Sequence, residues 1–486
     1  MVAQVFFWGA SFFFASLAFG NSNPGTNALL LTQENVAQRV LEKSFKSLEI
    51  QASNRTARLA LVSAEALNDW ILNAEAGYQM SRLRNFQGSN NLQDETYSSL
   101  IGVRRLFLSG TTFSAQLNRN SLQSIVNPNS IFSGQAPQQT QDLLGLEVQQ
   151  SLWKNSFGSS DRAQLQAARG TFQATELVSL SQMQALVLEA IRLFWQTSVQ
   201  QQVFKQALGA RDRYETLVEV VRKKNKLGSA SPGELFQVEA ELENQIQQTK
   251  TSSQEFLKSL HQLLTLLHYE KTENVNFELP ARVPPLIPRT EKKIESLREI
   301  KVQEAKLQSA EHMLDWARFK NRLDVSLVGR YEIGGIGTSA SAASSEMTSG
   351  QFPRAYYGVR LALPLGSGIL QEDEANKRSQ RDLQSSILSR RKMELADEIQ
   401  AAERKVIATH AVAESSIKQK SLRESAAADL QKAYSQGRLD IKFLIDALNL
   451  AFATQVNSLR SVGDHYIALN ELAALRDELV RDPKEE

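Results

Sequence analysis

The feature that most restricts this fold is a pair of long stretches almost free of residues that interrupt helices. From Asp161 to Leu227 there is no proline, and the only glycines are Gly170 and Gly209. From about 371 to 436 neither glycine nor proline occurs. Because an α-helix rises 1.5 Å per residue, about 67 residues extend roughly 100 Å. The sequence therefore predicts helices far longer than those of an ordinary globular domain.

Each long stretch continues into a second helix after a glycine-containing turn, which predicts two helical hairpins over 160–270 and 370–480. The first turn contains Gly228 and the second contains Gly437. Apolar residues recur at steps of three and four, as in a coiled-coil seam. In the first hairpin these are Leu180, Met183, Val187, Ala190 and Phe194, and in the second Leu388, Leu395, Ile399, Ala402 and Val406.

The spacing of the glycines suggests an internal duplication. Gly158 and Gly228 are 70 residues apart, and Gly368 and Gly437 are 69 apart. We expect a first repeat over 21–290, with an N-terminal helix and a linker at 271–290, and a second repeat over 291–486, beginning with a helix at 291–320.

Before each long helix the hydrophobic period changes to two. Apolar and polar residues alternate over four segments of about 9–12 residues, which we predict to be strands at 69–82, 142–153, 322–334 and 355–365. Strands that cross an outer membrane have this length and pattern, although a strand of a soluble sandwich also has one apolar face. A further segment, 97–119, resembles a hairpin and could extend a surface loop or add strands.

The composition and the N-terminus favour the membrane interpretation. Residues 1–20 contain an apolar run that ends in Ala18-Phe19-Gly20, typical of a secretory signal peptide, with a membrane anchor as the alternative. The chain has no cysteine, so we expect no thiol chemistry. Its formal charge is only +2, which argues against a nucleic-acid partner. No apolar run of 18 residues follows residue 20, so we do not expect a helical membrane protein. The Gly/Ser-rich segment 334–350 suits an extracellular loop.

Since four strands cannot close a barrel, copies of the chain must complete it.

Several ordered motifs resemble the TolC-type outer membrane efflux proteins over nearly the whole mature chain. They are Leu31-Thr32-Gln33-Glu34-Asn35-Val36-Ala37; Gln149-Gln150-Ser151-Leu152-Trp153 followed by Gly158; Leu361-Ala362-Leu363-Pro364-Leu365-Gly366; and Tyr434-Ser435-Gln436-Gly437 followed by Phe443-Leu444-Ile445-Asp446-Ala447. The sequence departs from the family at Ser151, where the family has proline, and at Phe443, where its tip often has an aspartate.

The resemblance implies a mixed α and β membrane protein: an oligomeric transmembrane β-barrel continued by a long α-helical coiled-coil periplasmic tunnel. It implies a homotrimer in outer-membrane lipid with four strands per chain and twelve in the barrel. It also implies docking to a periplasmic adaptor and an inner-membrane pump of the resistance-nodulation-division or ABC type. Segment 97–119 leaves the number of strands open.

Two kinds of site follow from this resemblance. Asp446, with Asp440 nearby, is a candidate for a carboxylate ring at a periplasmic gate, although Asp446 could be an ordinary helix residue and Asp440 an N-cap. The turns are candidates for adaptor docking, although plain helix-ending chemistry also explains them. The docking residues would be Leu227, Gly228, Ser229, Gln436, Gly437, Arg438 and Leu439.

The sequence predicts no catalytic, cofactor or metal site. His261 and His268 are seven residues apart on one predicted helix, whereas a zinc pair would be closer, and no nucleophile–base set or phosphate loop is present. We therefore expect a passive export duct of a tripartite efflux or type I secretion system, not an enzyme. The alternative is a periplasmic coiled-coil protein of the cell envelope without a pore. The cargo is not encoded in any motif.

Overall fold

The computed structural model describes residues 29–82, 91–126, 138–269, 275–277, 283–284, 293–363 and 368–480. The chain divides into two compact units. We call Met1–Arg55, Thr175–Val302 and Ser389–Glu486 the helical unit, and Thr56–Ala174 and Gln303–Leu388 the sheet unit. The predicted signal peptide, residues 1–20, lies outside the described residues.

The described elements alternate between helices and strands. In chain order they are β1 (Leu29–Leu31), α1 (Gln33–Lys43), α2 (Phe45–Glu65), β2 (Ile71–Ser81), β3 (Asn91–Leu106), β4 (Thr111–Val126), β5 (Gln138–Ser151), α3 (Ser159–Lys226), α4 (Pro232–Leu266), β6 (Val275–Phe277), α5 (Arg298–Lys320), β7 (Asp324–Gly337), α6 (Ala340–Ser349), β8 (Pro353–Ala362), α7 (Gly368–Ser435) and α8 (Ile441–Leu475).

The four long helices come as two pairs of matching length. Helices α3 and α7 contain 68 residues each, and α4 and α8 contain 35 each. Both returning helices begin with a side-chain cap. Ser231 and Glu234 form a reciprocal capping box at α4, and Asp440 accepts a hydrogen bond at the start of α8. These caps satisfy amide groups that have no partner within a helix, and so define where each helix restarts.

The core of the helical unit is built from the apolar stripes of its helices. Val36 of α1, Val187 and Ile191 of α3, and Leu263 of α4 are fully buried in one cluster. By length and composition one described helical span, Ser156–Lys226, could cross a membrane. Because its apolar residues Val187 and Ile191 pack inside this core, we interpret that helix as a core helix of the protein.

The sheet unit contains an antiparallel sheet of six strands in the order β2-β3-β4-β5-β7-β8. Its two faces differ in chemistry. One row across neighbouring strands reads Leu72, Val103, Ala115, Leu146, Tyr331, and the adjacent row reads Asn73, Gly102, Gln116, Gly145, Glu332. Since paired residues point to the same face and successive residues to opposite faces, the sheet has one apolar and one polar face along these rows.

The strand number differs from the four per chain that the resemblance implies. Segment 97–119 covers the end of β3, the turn after it and the start of β4, and these two strands add to the sheet. Two other segments also contain structure that the sequence did not predict. Strand β6 lies in the expected linker 271–290 and pairs with β1. Helix α6 lies in the expected loop 334–350, where glycine at 335 leaves room for the α6 backbone.

Gly158 joins β5 to α3 and is required for two reasons. Its φ is +76°, and a Cβ atom there would overlap the carbonyl oxygen of Leu108 in the β3–β4 turn. Gly110 of that turn has φ +72°, and its Cβ would lie 2.5 Å from the carbonyl oxygen of Asn155. Two glycines therefore allow the turn to pack directly on the strand-to-helix junction.

We expect Gly158→Ala to destabilise the protein by more than about 1 kcal/mol, because it adds both a left-handed strain and an overlap. The matched control is Gly209→Ala within α3, where a Cβ meets only the end of Arg213 at 3.9 Å. That change should stabilise the helix by up to about 1 kcal/mol. Urea unfolding followed by circular dichroism measures both, and an equal effect of the two variants would contradict the close packing of the β3–β4 turn on Gly158.

Candidate functional site

The first hairpin tip, between α3 and α4, is a glycine C-cap. Gly228 has φ +73° and donates its amide to the Asn225 carbonyl at 2.9 Å. Ser229 donates to the Lys224 carbonyl at 2.8 Å. This pair of bonds satisfies carbonyls at the end of α3 and turns the chain back. Leu227 beside it is 80% exposed, an unusual position for a large apolar side chain.

The second tip, between α7 and α8, repeats the same arrangement. Gly437 has φ +75° and donates to the Tyr434 carbonyl, and Arg438 donates to the Ala433 carbonyl, both at 3.0 Å. The tip residues 436–438 are exposed, and Leu439 is half-buried. The two tips thus have the same hydrogen-bond geometry and present backbone and side chains to solvent.

The structure brings the two tips together on one small core, which we call the tip cluster. It joins residues of α3, α4, α7 and α8, with Ala230 and Leu439 of the two turns packed against it. Lys224 connects the hairpins, since its Nζ donates to the Tyr434 carbonyl at 3.0 Å and lies 4.1 Å from the centre of the Tyr434 ring. The buried members are Tyr214, Leu217, Val218, Val221, Val238, Tyr434, Ile441 and Leu444.

A buried tyrosine ties α3 to α8 within the same cluster. The Tyr214 hydroxyl donates to Asn449 Oδ1 at 2.9 Å. Burial raises the pKa of this phenol above its usual value, and the Glu241 carboxylate acts in the same direction. The phenol therefore stays protonated and keeps its donor role. Sequence reasoning missed this link, because an apolar seam position predicts burial and not the polar partner on another helix.

The two acidic residues near the second tip have different surroundings. Asp440 caps α8, and its Oδ1 accepts a hydrogen bond from the Lys442 amide at 2.8 Å, as the N-cap interpretation predicts. Asp446 lies in α8 with an exposed side chain. One chain supplies one carboxylate at this position, so a ring at Asp446 needs further copies and stays a prediction.

A second candidate site is a ladder of alternating charge on the polar face of the sheet, which we call the charge ladder. Arg330 donates to Glu147 from Nη2 at 2.6 Å, and Arg354 donates to Glu332 from Nε at 2.6 Å. The charges lie on three neighbouring strands, β5, β7 and β8. The period of two predicts their common face, but their pairing depends on strand register.

No metal site accompanies these features in the part of the chain that the structure describes. It contains no group of three or more His, Asp or Glu side chains arranged to hold an ion.

We expect Gly437→Ala to loosen the second tip without a steric clash, because nothing lies within 4 Å of a Cβ built there. The left-handed φ alone should cost about 1 kcal/mol, or about a five-fold faster exchange of the tip amides with deuterium. Gly437→Asn is the matched control, since asparagine tolerates this conformation. Equal exchange in the alanine and asparagine variants would show that the conformation of Gly437 does not stabilise the tip.

No protein-family model matches this sequence, and no curated protein matches it at a significant level. Solved structures do match the fold. The chain is similar to the channel CusC, with a TM-score of 0.69 and 14% sequence identity over 94% of this chain and 95% of that one. It is also similar to the Neisseria gonorrhoeae outer membrane channel MtrE, with a TM-score of 0.68 and 13% identity over 93% and 90% of the two chains.

The Campylobacter jejuni outer membrane channel CmeC is a further match, with a TM-score of 0.66 and 12% identity. The alignment covers 100% of this chain and 97% of that one. Likeness over both full lengths means that the whole architecture is shared, not a single hairpin or sheet. The chain therefore has the fold of the TolC-type outer membrane channels.

Proposed function

We propose that this chain is one protomer of a trimeric export duct in the outer membrane, with a periplasmic part formed by its long helices. The observation that supports this proposal is the two-faced sheet. In the described residues its outer strands, β2 and β8, each pair with another strand on one side only. The fold likeness to outer membrane channels supports the location.

The edge strands expose apolar side chains that water would not favour. Tyr357 of β8 is 80% exposed, and Leu72 of β2 and Val359 of β8 are 69% and 67% exposed. All three lie on the apolar face of the sheet. Lipid would cover this face, but it cannot satisfy the free backbone groups of the two edges. The sheet must then close on itself through other chains.

The two edges are complementary to each other. In an antiparallel sheet of six strands the first and last strands run in opposite directions, so β8 of one copy can pair antiparallel with β2 of the next. Glu75 is the charged residue of β2, whereas Arg354 and Arg360 are those of β8, and all three lie on the polar face. A head-to-tail ring brings opposite charges together at each seam.

The helices also offer surfaces for other copies. Six large apolar side chains of α7 are more than half exposed in the single chain, and contacts between protomers would bury them as in a coiled coil. They are Ile369, Leu383, Met393, Ile407, Val412 and Leu422. We propose that such contacts form a helical tunnel and that the exposed tips dock a periplasmic adaptor, which connects the duct to an inner-membrane pump.

A periplasmic coiled-coil protein without a pore is the alternative function. It would explain the hairpins and their exposed apolar residues equally well. It gives no role to a sheet that exposes apolar side chains on its edge strands and leaves both edges open in the described residues. The sheet therefore favours the duct over the coiled-coil protein.

The seam between copies can be tested by disulfide trapping, because the natural chain has no cysteine. We expect Ala76→Cys, combined in turn with Tyr357→Cys, Val359→Cys or Leu361→Cys, to give disulfide-linked dimers and trimers for at least one pair in membranes. Within one chain these strands are separated by four others, too far for a disulfide. Cross-linking with none of the pairs, or trapping only in detergent-free soluble protein, would refute the proposed ring.

We further propose that Asp446 lines a gate. The duct would leak unless it closed, and Asp446 is an exposed carboxylate on α8, near the tip cluster. Three such carboxylates around an axis would repel one another and attract cations.

We expect Asp446→Asn to weaken block by divalent cations and to change cation selectivity in a planar bilayer, because it removes the charge and keeps the shape. Asp440→Asn is the control, since asparagine caps a helix about as well as aspartate and should leave both properties unchanged. If the Asp446 variant conducts and is blocked like the parent, the carboxylate ring does not exist.

A further inference from the structure

We infer that the assembled barrel has 18 strands and that the β3–β4 hairpin widens its pore beyond that of a 12-stranded barrel. This inference rests on the proposed trimer, since three sheets of six strands supply 18. The interior of a barrel grows roughly linearly with strand number, and barrels of 16–18 strands leave an aqueous channel. The hairpin is thus a size-determining element, and the barrel would admit solutes too bulky for a narrower one.

The hairpin lies inside the sheet and not at its margin. Every residue from Ile71 to Ser81 of β2 pairs with β3. On the other side, β4 pairs continuously with β5 from Thr111 to Gln123. Removing the hairpin would take from β2 its one neighbouring strand in the described residues, and from β5 one of its two neighbours. The two strands therefore belong to the wall of any barrel that this sheet forms.

The hairpin also continues the two faces of the wall. On its apolar side Ile101 is 58% exposed and Leu117 is 41% exposed, and these two residues are cross-strand neighbours. On its polar side Gln116 pairs with Gly102. The match holds in the half of the hairpin nearest its turn, whereas farther along the strands Ser99 and Arg119 lie on the same face as Ile101 and Leu117. A surface loop outside the membrane has no need to match both faces of its neighbours. The match near the turn therefore indicates that lipid covers one face of this part of the hairpin and water the other.

The turn of the hairpin is held at the junction between the sheet and α3. Ser151 donates its amide to the Gly110 carbonyl at 3.2 Å, and Arg162 donates from Nη1 to the Leu108 carbonyl at 3.2 Å. Gln150 donates from Nε2 to the Ser109 carbonyl at 3.1 Å. These contacts, together with the close approach at Gly158, bind the hairpin to the same end of the sheet from which α3 leaves.

Aromatic residues at this end of the sheet fit a membrane boundary. Trp70 lies edge-on to Phe107 and Phe113, with ring centres 6.3 Å and 6.1 Å away. The Arg105 guanidinium lies 5.5 Å from the Trp70 ring. Aromatic girdles of this kind mark the interface of transmembrane barrels. Two of the three rings come from the hairpin segment, so the girdle includes it.

The strand number sets a distance that can be measured. With neighbouring strands about 4.8 Å apart and a tilt of about 40°, an 18-stranded barrel has a radius of about 18 Å and a 12-stranded barrel about 12 Å. Equivalent backbone positions in three protomers are then about 31 Å apart with 18 strands and about 21 Å apart with 12. The difference of about 10 Å exceeds the uncertainty that a flexible label introduces when labels on both faces are compared.

The experiment is pulsed electron–electron double resonance on the full chain in lipid, with one spin label per protomer. Leu146→Cys places a label on the outer face of β5, and Gln149→Cys places one on the inner face, so their mean distance reports the backbone. We expect a mean of about 31 Å, and a mean of about 21 Å would overturn the inference while leaving the trimer intact. Absence of any distance between protomers would instead contradict the proposed function.

Two further measurements keep the outcome clear. Deleting residues 91–126 should shorten the mean distance by about 10 Å if the variant assembles. If the variant does not assemble, spin labels on the hairpin of the full chain show whether the hairpin lies in the barrel wall. A label at Ile101→Cys should collide with oxygen in lipid, and one at Gln116→Cys should collide with a water-soluble nickel reagent. Equal access of the nickel reagent to both positions would show that the hairpin is not in the wall.

Discussion

The two edge strands of the sheet impose the constraint on which the rest of the assembly depends. Strands β2 and β8 each carry a row of backbone amide and carbonyl groups without a partner on one side in the described chain. Water can satisfy such groups, but hydrocarbon cannot. In the proposed duct, a sheet with one apolar face and two open edges enters the membrane only after closure, for which we propose other copies of the chain.

The same constraint gives the β3–β4 hairpin its significance. A strand pair inserted into the middle of a sheet must preserve the register and both faces of its neighbours, or it breaks the wall. Here Gly110 and Gly158 permit the turn to reach the strand-to-helix junction, and the apolar row continues through Val103 and Ala115. An insertion that satisfies these conditions changes the circumference of a barrel without changing how its subunits meet.

The long helices are stabilised differently from the sheet. Along most of its length a helix of 68 residues pairs its own backbone groups, so only the backbone groups at its ends and the apolar side chains of its stripe need other partners. Left-handed glycines at 228 and 437 close the ends, and the tip cluster covers the stripes there. Polar links such as Tyr214 to Asn449 then select one alignment of the helices among those that apolar packing alone would allow.

Much of this architecture could be read from the residues because it depends on local periodicity. The absence of helix breakers, the glycine turns and the alternation in β2, β5, β7 and β8 are local signals, and they predicted a mostly helical chain with a sheet, which the structure has. The β3–β4 hairpin gives a weaker local signal in the sequence. Polar residues such as Asn118 and Arg119 of β4 follow each other without regular alternation, and the strand pair is visible only through its partners.

By itself the sequence determined the lengths of the four long helices, the turns at glycine, and the two faces of β2, β5, β7 and β8, since these depend on residues close together in the chain. Only the tertiary structure decided the number of strands in the sheet, the pairing of β1 with β6, the charge ladder and the tip cluster. Each of these depends on which distant segments become neighbours. Register and burial are properties of such pairs, and no single segment contains them.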